Sequence, residues 1–212
     1  MPPAATHRWP VTLEHGEIVL RPFRRWDQEE WMSLRSRNRD WLRRWDATNP
    51  EPHSALKSYV EMVRVLNRSG RDGTALPWLL CLRTSARGQP VIVGQLSVSS
   101  IVRGSALSAS LGYWIDRDRA GAGIVPTAVA LATDYCFGTL GLHRMEINIR
   151  PENAPSLRVV QKLGFRHEGL RRAFLHIDGD WRDHESYALT APEVPEGLLP
   201  RWEGRHRRIP GQ

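Results

Sequence analysis

Cysteine is scarce: Cys81 and Cys136 are the only two in 212 residues, both lie in apolar runs, and no C-x-x-C spacing occurs. Neither a disulfide framework nor a zinc site is supported, and a reducing, cytoplasmic compartment is expected. Long hydrophobic runs are also missing. The longest, around Ile124 to Ala132, is interrupted by Pro126 and Thr127 and is too short to span a bilayer. The opening MPPAATHRWP has no apolar core of a secretory signal, so no membrane partner is expected. Internal repeats, low-complexity tracts and a Walker lysine are absent too. What is present is ordinary for a globular chain: 41% hydrophobic and 25% charged residues, with nine Trp to fill a core. One domain is expected over 15–191, between an N-terminal extension over 1–14 and a basic C-terminal tail over 192–212.

The formal net charge is +7, but RWEGRHRR near the end holds four Arg against one Glu, so +3 of it falls in the tail. The remaining charge suits an anionic cofactor or the ribosome surface, and nucleic-acid contact is read as incidental.

Glu17 to Arg21 reads as a strand, and Asp27 opens a helix to about Arg39 with Glu29 and Glu30 in its first turn, where acids suit the helix dipole. The turn-rich Asn49 to Ser54 follows, with Ser54 as N-cap of a second helix ending at Gly70. Leu76 to Thr84, Val91 to Ile101 and Ser108 to Ile115 read as an antiparallel meander with turns at Arg87-Gly88 and Arg103 to Ser105. A helix from Val125 to Gly138 tolerates Pro126 in its first turn. On the strand Arg144 to Arg150, Met145, Ile147 and Ile149 share one face, and Glu146, Asn148 and Arg150 the other. A short helix, Ser156 to Leu163, stops at Gly164, and Asp178-Gly179 marks a two-residue hairpin that pairs His176 with Trp181. The order describes a mixed α/β sheet with helices on its faces.

Chemistry begins where strand Leu111 to Ile115 meets the loop Arg119-Ala-Gly-Ala-Gly-Ile124 and the helix behind it. Glycines at a helix N-terminus offer unpaired backbone N–H groups and a positive dipole end to a pyrophosphate. A dinucleotide fold fits poorly, because Pro126 stands where the third glycine belongs and the preceding strands read as antiparallel. Taken alone, the glycines fit a plain turn into a helix better. The second half sharpens the reading: Arg150-Pro-Glu-Asn153-Ala-Pro-Ser156 and Lys162-Leu-Gly-Phe165 place an amide and a hydroxyl just after a strand.

From Ile115 to Phe165 the chain resembles the cofactor-binding core of the GNAT acetyltransferase superfamily. Leu20-Arg-Pro-Phe23, Asn38-Arg-x-Trp-Leu42, Glu168-Gly169 and Asp178-Gly-x-Trp-Arg-Asp-His184 further resemble the RimJ/RimL-type ribosomal-protein N-acetyltransferases, the RimJ branch most of all. The resemblance implies an α/β GNAT fold: a mixed, mostly antiparallel sheet of about seven strands, helices on both faces, splayed between strands four and five. It implies acetyl-coenzyme A as donor and no metal. Trp114 and the Ile115 backbone would meet the pantetheine, the amides of Gly121, Ala122, Gly123, Ile124 and Val125 the pyrophosphate, and Asn153 and Ser156 the arm and sulfur. Two positions depart from the pattern: Ala120 stands where Gln or Arg is usual, and Val125 where a glycine or alanine is usual.

For catalysis, the family's acidic Tyr would fall at Val160 and its basic Glu at Asn148, and neither group moves a proton. Ser156 becomes the candidate donor to the departing thiolate, with N-capping of its helix as the other reading. An α-amine with a pKa near ~8 is neutral roughly 250-fold more often than a lysine near ~10.4, so an N-terminal acceptor needs little help from a base. Glu146, Glu152 or an Asp183–His176 pair could relay its proton, although the pair reads more readily as a surface ion pair that orders the hairpin; His143 and His184 read as structural. Trp41, Trp45, Asp46 and Trp181 are candidate acceptor contacts or plain packing. Three functions stay open: acetylation of a protein N-terminus, including a ribosomal one; acetylation of small amines or antibiotics; and a silent acetyl-coenzyme A-binding module. A monomer and a dimer are both compatible.

Overall fold

The computed structural model describes residues 9–51, 58–85 and 88–207, the side chains of 206 and 207 excepted. Ser54 and Arg87, expected at a helix cap and a turn, lie outside the described residues. In chain order come β1 (Leu13–His15), β2 (Ile18–Pro22), α1 (Gln28–Arg37), α2 (Arg39–Arg43), α3 (Tyr59–Arg71), β3 (Leu76–Leu82), β4 (Val91–Val102) and β5 (Ser108–Ile115). Then follow α4 (Ile124–Asp134), β6 (Arg144–Ile149), α5 (Ala154–Leu163), β7 (Arg166–Ile177), β8 (Asp180–Thr190) and α6 (Leu198–Arg207). Ser58 caps α3, its Oγ accepting the Glu61 N–H at 3.2 Å. The helix expected over 27–39 breaks in two at Asn38, whose side-chain amide turns back to the Leu34 carbonyl at 3.0 Å.

The strands form one sheet in the order β1-β2-β3-β4-β5-β6-β8-β7, antiparallel throughout except for β5 beside β6. The eighth strand is β1, whose three residues carry a single apolar side chain and so no readable alternation. β5 and β6 pair only from Ser108 to Ser110 against Arg144 to Glu146. Beyond that β5 runs on to Ile115 paired with β4 on one edge and with no strand on the other. Counted from β2, these are strands four and five, where the splay was expected.

Both faces of the sheet are covered, which is why β2 is buried along its whole length. On one face Leu20, Leu80, Leu96, Leu111 and Met145 pack beneath α4, α5 and α6. On the other, Val19, Leu79 and Ile92 meet Trp31 and Leu34 of α1 and Tyr59 and Val63 of α3. Within the second layer, Arg21 and Asp27 form a buried bidentate pair, both bonds at 2.8 Å, that ties the Leu20-Arg-Pro-Phe23 motif to the start of α1.

The ends depart from expectation. Within the supposed extension Trp9 is buried against Trp78, ring centroids 6.1 Å apart, and Gly70 leaves the room, since a Cβ there would lie 2.5 Å from the indole. Within the supposed basic tail, Leu198 and Trp202 are buried, Asp134 caps α6 by accepting the Leu198 and Leu199 N–H groups at 2.6 and 2.9 Å, and Trp202 Nε1 donates to Thr127 Oγ1 at 2.9 Å. Burying one leucine contributes about 1.5–3 kcal/mol, and Leu198 and Trp202 together fasten this helix to the core.

Candidate active site

The splay creates the site. Asp116 N–H bonds the Val93 carbonyl at 2.7 Å, so Gly94 and Ile115 are a non-hydrogen-bonded pair, and the polar backbone groups of Tyr113 and Ile115 turn toward the open side. Gly94 permits this approach: a Cβ there would sit 2.2 Å from the Trp114 carbonyl oxygen. The Ile115 carbonyl, expected to be free for a ligand, already accepts the Trp41 indole N–H at 3.3 Å.

Asn38 explains why that indole is in place. Its Nδ2 donates to Asp116 at 2.9 Å and its Oδ1 accepts the Arg117 N–H at 3.0 Å, pinning the end of β5 to the α1–α2 junction three residues before Trp41. Asp116 is buried and also accepts from Arg37. Burial alone would raise its pKa, but the hydrogen bonds from Arg37 and Asn38 outweigh it and hold the carboxylate below its usual range.

The glycine loop follows. Gly121 and Gly123 hold φ of 84° and 76°, a left-handed conformation that costs other residues about 1–2 kcal/mol. Gly123 is the N-cap of α4 and no side chain caps that helix, so the N–H groups of Ile124 and Val125 keep their donors while their side chains enter the core. Arg119, Arg158 and Lys162 border the same cleft, three cations that glycine spacing alone does not reveal.

At the far wall, Asn153 rather than Ser156 caps α5: its Oδ1 accepts the Ser156 N–H at 3.2 Å. The capping role considered for Ser156 therefore falls away and its hydroxyl is left for other work. Val160, one turn on, is fully buried and apolar. Tyr113, which sequence reasoning passed over as one more aromatic of a strand, brings its hydroxyl to this wall. Its Oη is sealed from solvent without a hydrogen-bond partner, a condition that costs about 1–3 kcal/mol. Burial pushes its phenol pKa up, and the nearby Ser156 hydroxyl opposes that rise. Together Trp41, Trp45, Tyr113, Trp114, Ile115, Asn153 and Ser156 enclose a cleft of ≈ 410 Å³ that opens over the glycine loop.

The remaining candidates lie on the face opposite α4 and α5. Trp114 packs tilted against Trp31, ring centroids 5.3 Å apart, and Arg35 covers its ring at 5.1 Å, while Arg35 also pairs with Asp46 at 2.5 Å. Trp45 is held between Arg44 and Arg150 at 4.8 and 5.6 Å. Asn148 accepts the Ser186 hydroxyl at 2.5 Å. Glu146 is committed to Arg144 and Arg171, both at 2.8 Å, and Glu152 to Arg150 at 3.2 Å.

The structure does not bring Asp183 and His176 together. A bulge between Arg171 and Leu175, with Ala173 at φ 47°, breaks the regular hairpin register, and Asp183 accepts the Ala173 N–H at 2.7 Å. His176 pairs with Trp181 as expected but gives its Nδ1 to Thr48 Oγ1 at 2.7 Å. Trp181 stands half-exposed on the hairpin and is not among the residues of the cleft. Among the described residues no group of three or more His, Cys, Asp or Glu could hold a metal, and no helix is long and apolar enough to cross a membrane.

A strand edge left open by a splayed sheet, ending in a glycine loop and an uncapped helix, defines a class of protein, and the comparisons agree. The acetyltransferase (GNAT) domain family matches residues 17–166, and the chain belongs to that family. It is an acetyl-coenzyme A-dependent N-acetyltransferase. It is 31% identical over 189 residues to the [ribosomal protein uS5]-alanine N-acetyltransferase of Escherichia coli K12, covering 88% of this chain and 94% of that one. It is also 31% identical over 181 residues to a probable N-acetyltransferase, YjcK, of Bacillus subtilis 168, covering 85% and 98%. Mycobacterium smegmatis RimJ in complex with CoA-disulfide superposes with a TM-score of 0.84 at 35% identity, covering 94% of this chain and 96% of RimJ.

Proposed function

We propose that this enzyme moves the acetyl group of acetyl-coenzyme A to the N-terminal α-amine of a protein, a ribosomal protein in the first instance, by direct attack of the amine on the thioester. The observation that carries this reading over a small-amine enzyme is the lining of the cleft: among its described residues there is no Asp or Glu. On the acceptor side Glu146 and Asp46 are neutralised by Arg144, Arg171 and Arg35. A polyamine or a cationic antibiotic needs free carboxylates, and those just named are paired among the described residues, whereas a peptide terminus needs a groove with backbone partners. The relatives with ribosomal-protein names support the same choice.

In this reading the open edge at Tyr113 and Ile115 receives the pantetheine arm, and the Gly121 to Val125 amides with Arg119, Arg158 and Lys162 receive the phosphates. Asn153 sets the turn that aims Ser156 into the cleft, and the Ser156 hydroxyl donates toward the leaving sulfur. The protein supplies positioning and hydrogen bonds more than proton transfer, which suits an α-amine that is partly neutral near pH 7.

The test is thiol release from acetyl-coenzyme A with short peptides that differ only at the N-terminus, alongside N-acetylated peptides, lysine side chains and polyamines. Turnover that requires a free peptide α-amine, lost on N-acetylation, is expected. Faster turnover of polyamines than of any peptide would overturn the proposal, and tight cofactor binding with no turnover of any amine would leave a silent binding module.

A further inference from the structure

We propose that Tyr113 is a positioning residue for Ser156: its hydroxyl donates to Ser156 Oγ and so turns the Ser156 proton into the cleft, toward the sulfur of the acyl donor. The inference rests on the role given to Ser156 above and adds the group that orients it.

Tyr113 lies on the stretch of β5 whose β6-side edge no strand covers, with its ring packed toward the layer under α4 and α5. Tyr113 and Ser156 are the two hydroxyl-bearing residues among the described lining of the cleft. Nothing in the fold satisfies Tyr113 Oη, although it is sealed from solvent. The one polar side chain that influences its titration is Ser156, close to it but outside hydrogen-bond geometry. Both groups are rotors, and a small turn of either completes the bond. A buried polar group kept without a partner is expensive in a packed interior, and Ser156 is the hydroxyl placed to relieve it.

With the phenol as donor, as proposed, proton counting fixes the rest. A serine hydroxyl has one proton, so a serine that accepts from tyrosine must point its own proton elsewhere, and the cleft is the open direction. Burial raises the phenol pKa, which keeps Tyr113 protonated and a donor across the working range. In the transfer the N–C bond forms as the C–S bond breaks; one proton leaves the amine and one is gained at sulfur. Tyr113 keeps its proton throughout and acts only through Ser156.

The test is Tyr113→Phe, Ser156→Ala and the double variant, each followed by kcat, by KM for acetyl-coenzyme A, and by pH titration of the thiol of bound coenzyme A through thiolate absorbance. Loss of one neutral hydrogen bond in the transition state predicts a kcat about tenfold lower for Tyr113→Phe. KM should be unchanged, the bound thiol should titrate at higher pH, and the double variant should be no slower than Ser156→Ala. Because Phe removes only an unsatisfied oxygen, the variant should melt no lower than the parent. A wild-type kcat and thiol titration in Tyr113→Phe, or a further fall in rate when it is added to Ser156→Ala, would overturn the inference. If no amine is turned over by the parent, the thiol titration still decides about Tyr113, so failure of the proposed function and failure of this inference are told apart.

Discussion

The two halves of the cleft are built from different materials. The half formed by β5, the glycine loop and the N-terminus of α4 presents backbone: turned-out strand groups, two glycines with positive φ, and N–H groups no side chain caps. The half formed by the outer face of β6, β7 and β8 presents side chains already committed to one another, Arg144 with Glu146 and Glu168, Arg171 with Glu146, Asn148 with Ser186. A backbone site depends on conformation and tolerates many side chains, whereas a paired site depends on the identity of each partner. The first half should therefore fail through strain and loss of anchoring, and the second through pH and salt.

The largest effect is expected where the backbone half is anchored. Asp116→Ala removes the buried carboxylate that gathers Arg37 and Asn38 at the end of β5. Leaving those partners unpaired should destabilise the protein by about 2–4 kcal/mol. Since a domain of this size loses roughly 2–4 °C per kcal/mol, thermal unfolding should show a drop near ~10 °C. Asp116→Asn, which still accepts a hydrogen bond, should lose less; equal losses would remove Asp116 as the anchor. A smaller effect is expected at the loop itself. At Gly123 a Cβ meets no atom within 4 Å, so Gly123→Ala tests φ alone. Strain of about 1–2 kcal/mol, felt when the loop must hold its shape around a phosphate, should weaken coenzyme A binding roughly tenfold by calorimetry. Unchanged affinity would show that the loop does not need the left-handed conformation to bind.

The same division decides what could be read from the chain. The meander, the glycine loop, the polar face of β6 and the Asp178-Gly179 turn were legible because each rests on short-range spacing or on a φ that glycine permits. Groups defined by contact across the fold were not. Nothing near Asn38 in sequence announces Asp116, 78 residues away. Nothing around Tyr113 shows that its hydroxyl ends beside Ser156. The basic stretch after 192 looked like a tail because charge dominates it, although Leu198 and Trp202 stand four apart on the face that α4 covers. The hairpin misled for a local reason: ideal alternation places Asp183 near His176, and the bulge at Ala173 removes it.

The smallest effect belongs to the paired half, and pH shows it best. The Arg144 guanidinium, assisted by Arg166, holds the Glu168 carboxyl at about 2, well below the usual carboxylate range. With a pKa lower folded than unfolded, Glu168 contributes stability that is fully present above about pH 4.5 and is lost as the pH falls toward 2. Because the pair is partly exposed, salt screens it and the contribution stays small. Glu168→Gln should therefore cost little near neutrality, flatten the acid limb of melting temperature against pH, and leave coenzyme A affinity untouched. Parallel acid limbs for parent and variant would assign acid sensitivity to other carboxylates. A fall in coenzyme A affinity would break the separation between the two halves, because it would mean that a charge pair on β7 reaches the backbone site across the splay.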